Sequence, residues 1–538
     1  MKKFLWWRDG VIYQIYPRSF MDTNGDGIGD LEGIISQLDY LKDLGVDALW
    51  LSPIYPSPDV DFGYDVSDYC AIDPKFGTMR DFDRLLVQAH KRDIHIIMDL
   101  VLNHTSDQHP WFQESRKSRV NKFRDYYIWK DPQPDGTPPN NWLSIFGGTG
   151  WEFDDQSGQY YFHHFFKEQP DLNWRNPAVR KEMLDIFRFW LEKGVDGFRL
   201  DVFSAYFKDA EFRDDPKKLV GLRKYDRLVH LYDADRPEMI PLLREIRTLL
   251  DGYPERYAVG ETFMATFEKA ALYCGDDLLH AAFSFDDFIN GPWKAQRFRK
   301  AIKTWEKVLE GKCWPNYVLN NHDVKRSATR YDSDEKDERS KVAAAMLLTL
   351  RGTPFMYYGE EIGMREGEFK KHEILDPIGL YYWPFYKGRD GCRTPMQWDA
   401  SENAGFSSAT PWLPVNPDYL QRNVSEQMRD KGSLFNFYKE LLKLRKEHPA
   451  LMQGDLEMAT VVLGNTLIFF RCLPEEQAMI ALNFNQGQKR LDLLKNGAAD
   501  CELVLSSKLK ALHTNYSDQY ILDGNEAAIF ILKNSVIA

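Results

Sequence analysis

An arginine and an aspartate stand two residues apart inside one apolar run, GFRLDVF (197–203). Side chains two apart on a β-strand point to the same face, so Arg199 and Asp201 are predicted to lie side by side. A buried pair of this kind is costly unless both charges are hydrogen-bonded. The pair is therefore either a structural ion pair or part of a site that uses a charged carboxylate.

Polar and ionisable residues also occur where three further apolar runs end. They are Asp99, Asn103 and His104 after the third run, Glu261 after the fifth, and Asn321, His322 and Asp323 after the seventh. Active sites of parallel α/β barrels are built from the carboxyl ends of the strands. Polar residues at four such ends favour an active site over a structural ion pair for Arg199 and Asp201.

The residue types indicate acid/base chemistry, because three carboxylates (Asp201, Glu261 and Asp323) occur without a cysteine or G-x-S-x-G nucleophile. Glycoside hydrolysis is such a reaction: one carboxylic acid protonates the leaving oxygen, and a carboxylate attacks or activates water. Arg199 is expected to keep Asp201 ionised. The apolar strand before Glu261 favours the protonated form that a general acid needs. The residues alone do not assign these roles.

Short apolar runs alternate with amphipathic stretches over most of the chain. The predicted strands are 11–17, 47–53, 94–104, 197–202, 256–262, 281–287, 316–323 and 353–361. Apolar residues at helical spacing occur between them, as in 30–45, 79–93 and 177–194. Eight strands, each followed by helical sequence, predict an α/β protein built on a parallel (β/α)₈ TIM barrel.

Two segments depart from this alternation. Roughly 70 residues rich in Trp, Pro, Gly, Asn and Asp follow the third strand, and an insertion of this length is expected to be functional or a small domain. From residue 456 the pattern changes to short strands and turns. The predicted domains are a catalytic barrel (1–103 and 174–455), an inserted domain B (104–173) and a C-terminal antiparallel β-sandwich domain (456–538).

Composition narrows the functional class. The 538 residues carry a net charge of −12, which argues against a nucleic-acid partner because phosphate binding needs a basic face. Aromatic residues reach 14%, which suits a pocket that presents flat apolar faces to a ligand. The six cysteines lack metal-like spacing, and MKKFLWWRDG is too short in its apolar part for a signal peptide. These features predict a cytoplasmic protein without a membrane partner.

Six segments resemble motifs of one family in order and spacing. DLVLNHTS (99–106), GFRLDV (197–202), VGET (259–262) and NNHD (320–323) resemble the four signature regions of the α-amylase superfamily, glycoside hydrolase family 13. QPDLN (169–173) and GRDGCRTPMQW (388–398) are similar to motifs of its oligo-1,6-glucosidase and α-glucosidase branch. The resemblance covers nearly the whole chain.

The resemblance implies a retaining enzyme and assigns roles to individual residues. Asp201 corresponds to the nucleophile, Glu261 to the acid/base and Asp323 to a carboxylate that holds sugar hydroxyls. Asp61 and Arg389 resemble a pair that holds the terminal sugar, and Phe146 and Phe165 resemble pocket walls. The full set of implied substrate-binding residues is Asp61, Tyr64, His104, Phe146, Phe165, Gln169, Arg199, His322, Arg389 and Arg393.

The loop DTNGDGIGD (22–30) matches the start of an EF-hand loop, although position 12 is Gly33 rather than a bidentate glutamate. Relatives of this branch often hold one divalent cation after the first strand. The expected site is therefore a structural Ca²⁺ site, with Mg²⁺ as the alternative ion and no catalytic cofactor. Its expected ligands are Asp22, Asn24, Asp26, the Ile28 carbonyl and Asp30.

The function expected from the resemblance is an exo-acting α-glucosidase that releases glucose from short α-glucosides and can transfer glucosyl groups, as a monomer or homodimer. A trehalose synthase or sucrose isomerase is the alternative enzyme, since both use the same carboxylates. A binding protein with an inactive barrel is disfavoured because all three carboxylates are present.

The expected linkage rests on conflicting signals. Val202 together with QPDLN (169–173) accompanies α-1,6 cleavage in relatives, which would make the chain an oligo-1,6-glucosidase. The segment 360–398 is instead similar to that of enzymes that cut maltose-like substrates. We therefore expect both linkages to be cleaved, with α-1,4 preferred.

Overall fold

A parallel sheet of eight strands forms the centre of the chain. The structure, a computed structural model, describes residues 3–262, 266–283, 286–289, 291–331, 336–461, 463–508 and 510–533. The eight strands are β1 (Ile12–Ile15), β2 (Ala48–Leu51), β3 (His95–Leu100), β4 (Gly197–Leu200), β5 (Tyr257–Glu261), β6 (Ala281–Phe283), β7 (Asn316–Val318) and β8 (Thr353–Tyr357). Each strand is followed along the chain by at least one helix.

The α-helices of the described residues surround this sheet and continue beyond it. Their bounds are Trp6–Asp9, Leu31–Ser36, Leu38–Leu44, Met79–His90, Pro110–Ser115, Pro177–Lys193, Met239–Asp251, Phe267–Ala271, Asp286–Ile289, Ala295–Leu309, Ser327–Tyr331, Glu338–Thr349, Pro377–Tyr381, Val424–Arg429, Leu434–Glu447 and Pro449–Gln453. The stretch 30–45, predicted as one helix, is two, because the first ends with a hydrogen bond from Gln37 N to Ile34 O (3.1 Å). The predicted sixth strand ran to residue 287, and residues 284 and 285 of it lie outside the described residues.

The sheet closes on itself as the predicted (β/α)₈ barrel. Its strand order is β7-β8-β1-β2-β3-β4-β5-β6, and every hydrogen-bonded pair of neighbours is parallel. The two edge strands, β6 and β7, have Cα atoms within 8 Å of each other. This topology brings the carboxyl ends of all eight strands to one mouth.

Alternation along the strands decides which side chains face the barrel interior. Trp50, Ile97 and Val259 belong to one buried apolar cluster inside the barrel, whereas Leu49 and Leu51 pack in the outer core with the helices. Because strand side chains alternate with period 2, Asp99 and Glu261 continue the inward-facing rows of Ile97 and Val259. The barrel interior is therefore lined by apolar side chains along the strands and by ionisable side chains near their carboxyl ends.

A three-stranded antiparallel sheet lies in the segment between β3 and β4. It consists of Trp129–Lys130, Gln159–Phe162 and Trp151–Asp154, with Gln159–Phe162 in the centre. Its apolar cluster is built from Ile128, Trp142, Trp151 and Phe162. Lys208, a buried residue after β4, forms an ion pair with Asp171 of this segment and donates to Asn103 Oδ1 (2.9 Å) after β3. This buried contact fixes the segment over the mouth of the barrel.

The C-terminal strands form two antiparallel sheets. They are β9 (Asp455–Met458), β10 (Thr466–Cys472), β11 (Gln477–Asn483), β12 (Lys489–Asp492), β13 (Cys501–Ser506), β14 (Thr514–Tyr516), β15 (Gln519–Leu522) and β16 (Ala527–Leu532). The six-stranded sheet has the order β9-β10-β11-β16-β13-β14, and β12 pairs with β15. Ala478, Ile480 and Leu482 of β11 join the core shared with the barrel helices, and Met479 and Ala481 face a second apolar cluster.

Two further observations bear on the sequence analysis. In the part of the chain that the structure describes, no helix combines the length and the apolar character needed to cross a bilayer. All six cysteines are free, and Cys274, Cys392 and Cys501 are buried.

Candidate active site

Arg199 links three carboxylates at the carboxyl end of the barrel. Its Nη1 donates to Asp99 Oδ1 (2.6 Å) and to Asp201 Oδ1 (2.7 Å), and its Nη2 donates to Glu261 Oε2. The side chain is 1% exposed, so all three contacts form away from bulk water. Asp99 is the next-to-last residue of β3, Asp201 follows β4 and Glu261 ends β5. Arg199 and Asp201 are therefore hydrogen-bonded neighbours, as expected from their spacing.

Strand register explains how these side chains meet. Asp99, Arg199 and Val259 are paired across β3, β4 and β5 at one level of the barrel. Asp201 and Glu261 lie two positions further along their strands, and so they project from the same inner face one step nearer the mouth. One guanidinium can reach both because parallel neighbours are about 4.8 Å apart.

The protonation of Asp201 is set by competing neighbours. Burial, with the carboxylates of Asp99 and Asp323, raises the pKa of Asp201 to about 7, against the opposing charge of Arg199. Arg199 favours the ionised form of Asp201, as expected from the sequence, but it does not cancel the rise in pKa. One guanidinium shared among three carboxylates cannot offset the desolvation of each.

Asp323 lies in a more cationic environment on the opposite side. Its Oδ1 accepts from Arg393 Nη2 (2.9 Å) and from Arg389 Nη1 (3.5 Å), and its Oδ2 lies 3.2 Å from His322 Nε2. Burial opposes ionisation, but His322 and the two arginines outweigh it and lower the pKa of Asp323. Asp323 is therefore the more readily ionised of the two carboxylates, Asp201 and Asp323.

His322 is a neutral ring whose Nε2 lies 3.2 Å from Asp323 Oδ2. Burial lowers the pKa of His322 to about 3, so its ring is uncharged at neutral pH. Gln14 Nε2 lies 2.8 Å from its Nδ1, and an amide nitrogen can only donate, so Nδ1 accepts and Nε2 carries the proton. The ring stacks on Tyr64 at 5.1 Å between centroids and 6° between planes. Of the groups around Asp323, Arg389 and Arg393 thus carry the positive charge.

An ion pair closes one end of the site. Arg389 Nη2 donates to Asp61 Oδ1 (2.7 Å), and Asp61 is 3% exposed. Gln169 Nε2 approaches the other Asp61 oxygen at 3.2 Å. Arg389 is itself held by Asp376, which accepts from its backbone N (2.7 Å), Nε (3.0 Å) and Nη2 (3.0 Å). The pair walls off the site on the side of Asp61.

His104 and Tyr64 complete the polar floor. His104 Nε2 lies 2.9 Å from the Tyr64 carbonyl, which can only accept, so this nitrogen is the protonated one. Burial lowers the pKa of His104 to about 4, so its ring is neutral as well. Tyr64 donates its hydroxyl to Asp99 Oδ2 (2.9 Å). The two rings are thereby fixed against the carboxylate that Arg199 holds.

These residues surround one pocket of about 580 Å³, a volume that suits a small sugar. Ten of the residues expected from the sequence line it: Asp61, Tyr64, His104, Phe146, Phe165, Asp201, Glu261, His322, Asp323 and Arg389. Gln169, Arg199 and Arg393 contact these lining residues from behind. The expected site residues, apart from the cation loop, therefore converge on one cavity.

Aromatic side chains form one wall of the pocket. The Phe146 and Phe165 rings lie 5.4 Å apart in an edge arrangement, and Phe165 lies 5.1 Å from the His104 ring. The Arg389 guanidinium lies 5.4 Å from the centre of the Phe146 ring. This wall offers flat apolar surface beside charged groups, as sugar faces require.

Several pocket residues were not found from the sequence. They are Ile145, Leu222, Arg223, Ile378, Tyr382, Phe385 and Tyr386. All lie in irregular loops or short helices rather than at strand ends, so neither strand periodicity nor a motif marks them. Phe385 is 97% exposed and Leu222 is 99% exposed, which gives the mouth of the pocket an apolar rim.

The loop 22–30 has the donor chemistry expected of a hard-cation site. Asp22 and Asp30 are each 5% exposed, and their oxygens accept only from N–H and O–H groups, among them Gly27 N (2.8 Å) and Thr23 N (2.9 Å). Among the described residues, neither carboxylate has a Lys, Arg or His within ion-pair distance. Two buried carboxylates without a cationic partner, with oxygen donors from Asn24, Asp26 and Ile28 nearby in the loop, fit Ca²⁺.

Comparisons with known proteins agree with this geometry. A family model described as alpha amylase, catalytic domain, matches residues 14–454. The chain is 45% identical over 495 residues to a probable alpha-glucosidase of Rhizobium meliloti (strain 1021). This alignment covers 89% of this chain and 89% of the relative. It is 44% identical over 515 residues to an oligo-1,6-glucosidase of Parageobacillus thermoglucosidasius. That alignment covers 90% of this chain and 91% of the relative.

The same similarity extends to solved structures. An alpha-glucosyl transfer enzyme, XgtA, superposes with a TM-score of 0.93 at 40% identity, covering 99% of this chain and 100% of the other. This structural match spans the barrel, the segment between β3 and β4, and the C-terminal sheets. This chain belongs to the alpha-amylase family, glycoside hydrolase family 13.

Proposed function

We propose that this protein is a retaining, exo-acting α-glucosidase that removes glucose from the non-reducing end of short α-glucosides. One observation carries the proposal: the Arg199 guanidinium bridges Asp201 and Glu261 beside a pocket closed by Asp61 and Arg389. Two carboxylates on one guanidinium suit the short spacing of retaining enzymes, about 5–5.5 Å, better than the wider spacing of inverting ones.

In the proposed reaction Asp201 attacks the anomeric carbon and forms a glucosyl ester, while Glu261 protonates the departing oxygen. Water, deprotonated by Glu261, then cleaves the ester, so two inversions return the α configuration. Arg199 stabilises the ionised form of Asp201 and orients both carboxylates. Asp323 accepts hydrogen bonds from sugar hydroxyls, and the neutral rings of His322 and His104 lie beside the same glucose.

The closed end of the pocket supports exo action. Asp61 and Arg389 offer a carboxylate and a guanidinium to the hydroxyls of a terminal glucose, and they leave no room for a further sugar beyond it. Hydrogen bonds to charged groups of this kind are strong. Chain ends, rather than chain interiors, are therefore the proposed substrates.

Both α-1,4 and α-1,6 linkages are proposed as substrates, with α-1,4 preferred. The relatives named above as an alpha-glucosidase and an oligo-1,6-glucosidase are equally similar to this chain, at 45% and 44% identity. Val202 lines the pocket beside Asp201, where the second sugar leaves. Its side chain adds a constraint worth about 1–3 kcal/mol at most, so the surrounding loops also contribute to linkage preference.

Glucosyl transfer is the second candidate activity. A covalent glucosyl intermediate reacts with any hydroxyl that reaches it, and the exposed side chains of Leu222 and Phe385 present apolar surface at the pocket mouth, where an acceptor sugar would arrive. The similarity to an alpha-glucosyl transfer enzyme supports this candidate. A trehalose synthase or sucrose isomerase type of rearrangement would use the same intermediate.

The proposal also covers the domain boundaries, the bound cation, the cellular location and the oligomeric state. The proposed divisions are a barrel (1–103 and 174–455), domain B (104–173) and a C-terminal domain (456–538). One structural Ca²⁺, or Mg²⁺, is proposed at Asp22, Asn24, Asp26, Ile28 and Asp30. A cytoplasmic location and a monomer or homodimer stay predictions from the sequence.

The test is product analysis with proton NMR from the first seconds of reaction. Maltose, isomaltose, sucrose, trehalose and nitrophenyl α-glucoside are incubated separately with the enzyme. The proposal predicts free glucose released first as the α anomer from maltose and isomaltose. Release of β-glucose would contradict retention, and conversion of maltose to trehalose without free glucose would favour the rearranging enzyme.

A further inference from the structure

A second group of ionisable side chains lies outside the pocket, in the chain between β4 and the helix Met239–Asp251. Asp215, His230 and Asp233 each offer a ligand atom, and these atoms all lie within 4.8 Å of one another. Among the described residues they are the only three-member group of His, Cys, Asp or Glu with this property. Asp215 is 2% exposed and Asp233 is fully buried.

The hydrogen bonds of His230 determine which nitrogen carries its proton. Nε2 lies 2.9 Å from the Tyr225 carbonyl, which can only accept, so Nε2 is protonated. Nδ1 lies 2.7 Å from Asp233 Oδ2. This nitrogen either carries a second proton and donates it to the carboxylate, or it binds a metal ion that Asp233 also binds. A histidine whose second nitrogen donates to a backbone carbonyl is the usual arrangement of a metal ligand.

One oxygen of each carboxylate also lacks a hydrogen-bond partner. Asp215 Oδ1 accepts from Leu231 N (2.8 Å) and Tyr232 N (2.7 Å), but Asp215 Oδ2 has no hydrogen-bond partner among the described residues. The same holds for Asp233 Oδ1. No Lys or Arg of the described residues forms an ion pair with either side chain. A buried carboxylate oxygen without a hydrogen-bond partner is costly, and each of these two side chains has one.

We propose that Asp215, His230 and Asp233 bind one divalent transition-metal ion of the Zn²⁺ class. The charge of the ion balances the two carboxylates, and it supplies partners for Asp215 Oδ2, Asp233 Oδ1 and His230 Nδ1. Three protein ligands with one imidazole suit Zn²⁺, which binds nitrogen at about 2.0–2.1 Å and carboxylate oxygen at about 2.0–2.2 Å, with water in the fourth position. Ca²⁺ and Mg²⁺ prefer oxygen ligands throughout.

A metal ion bound by Asp215, His230 and Asp233 would affect the structure of the hairpin that contains them. Residues 215–233 fold back as a hairpin, with an antiparallel bridge between Lys217 and Leu228. The three proposed ligands lie at its base. Leu222 and Arg223 lie nearer its tip and line the active-site pocket, and Arg223 Nη1 donates to Ile145 O (3.1 Å) in the segment between β3 and β4. A metal at the base would fix the hairpin that forms this part of the pocket wall.

The experiment measures metal binding directly. The chelator-treated enzyme is saturated with Ca²⁺, so that the loop 22–30 is supplied, and is then titrated with Zn²⁺ by calorimetry and with Co²⁺ by absorption spectroscopy. His230→Gln and Asp233→Asn remove one ligand each. Asp214→Asn is the matched control, because it makes the same chemical change at an exposed neighbour of Asp215. Circular dichroism checks that each variant is folded.

The proposal predicts one Zn²⁺ per chain for the unmodified enzyme and for Asp214→Asn, with affinity at least about 10- to 100-fold weaker in His230→Gln and Asp233→Asn. The Co²⁺ spectrum should show no thiolate charge transfer, since no cysteine takes part, and Zn²⁺ should slow proteolysis within residues 216–229. If the unmodified enzyme binds no Zn²⁺, the proposal is wrong, and a proton shared by the two carboxylates is the occupant. Equal binding by all four proteins would place the ion elsewhere and would equally overturn it.

Discussion

Asp376 accepts three hydrogen bonds from Arg389, at its backbone N (2.7 Å), Nε (3.0 Å) and Nη2 (3.0 Å). The carboxyl group is fully buried, and it also caps the helix Pro377–Tyr381 by accepting from Ile378 N. Arg389 in turn contacts Asp61 and Asp323, which belong to the two sides of the sugar pocket. The position of the pocket's closed end therefore depends on a residue that lies outside every motif of the sequence.

Asp376→Asn should weaken substrate binding without unfolding the protein. Asparagine still caps the helix, but it loses the charge that holds Arg389, and a hydrogen bond to a charged group contributes about 1.5–3 kcal/mol. We expect kcat/KM for maltose to fall roughly 10- to 150-fold, mostly through a higher KM. Steady-state kinetics with maltose and nitrophenyl α-glucoside measure this effect. Unchanged kinetics would show that Asp61 alone positions Arg389.

The pH dependence of kcat/KM should have its acid limb near neutrality. Asp201 must be ionised to attack, and burial with the carboxylates of Asp99 and Asp323 raises its pKa to about 7. Because the pKa is raised, the ionised form is lost as pH falls through about 7 rather than through about 4, the ordinary aspartate value. Asp99→Asn removes one of these carboxylates, so its acid limb should lie at lower pH.

A pH profile of kcat/KM for both proteins checks this prediction with one substrate throughout. The two buried carboxylates titrate as a pair, so the limb reports their combined behaviour. An acid limb near pH 4 in the unmodified enzyme would show that Arg199 outweighs burial. An unshifted limb in Asp99→Asn would remove Asp99 as a cause.

Val202→Ala should raise the ratio of maltose to isomaltose kcat/KM. Val202 follows Asp201 directly, lines the pocket and adopts a left-handed backbone with φ 33° and ψ 38°. This conformation is strained for a β-branched residue, by about 1–3 kcal/mol, and it aims the side chain at the space of the second sugar. Alanine removes two methyl groups there, and the change in ratio should stay within about 10- to 200-fold. An identical ratio would assign linkage preference to the loops.

Removal of Ca²⁺ should lower the melting temperature without slowing the reaction at low temperature. A ligand that binds only the folded state stabilises it by mass action, and the loop 22–30 has no contact with the reacting groups. Asp26→Ala should abolish the Ca²⁺-dependent rise in melting temperature, because Asp26 is exposed and its carboxylate has one backbone contact, to Ile28 N (2.8 Å). Loss of turnover in proportion to Ca²⁺ removal, at an unchanged melting temperature, would place the ion in the active site.

The barrel and the centre of its site followed from sequence periodicity. All eight strands were predicted, because strands buried on both faces read as short apolar runs. Arg199 and Asp201 were predicted to be neighbours from their spacing alone. The predicted strand extended to Val202, however, whereas β4 ends at Leu200. Valine favours extended backbone, and the sequence shows no sign of the left-handed turn at Val202.

The residues that sequence reasoning missed act through distant partners in irregular loops. Asp376 reads as a helix cap before a proline, and nothing local shows that it binds Arg389. Asp215 and Asp233 are separated by a hairpin and read as ordinary polar residues of a loop. The raised pKa of Asp201 was also not predicted, because the sequence shows its neighbour Arg199 but not its burial or the nearby carboxylates of Asp99 and Asp323.

The central claim is that Asp201 forms the covalent glucosyl intermediate. Glu261→Gln with nitrophenyl α-glucoside tests it most directly, because this leaving group needs no protonation, whereas hydrolysis of the intermediate still needs a base. After a rapid acid quench and proteolysis, mass spectrometry should find one glucosyl group on the peptide that contains Asp201, and the double variant with Asp201→Asn should carry none. A glucosyl group on any other residue, or its persistence in the double variant, would contradict the account.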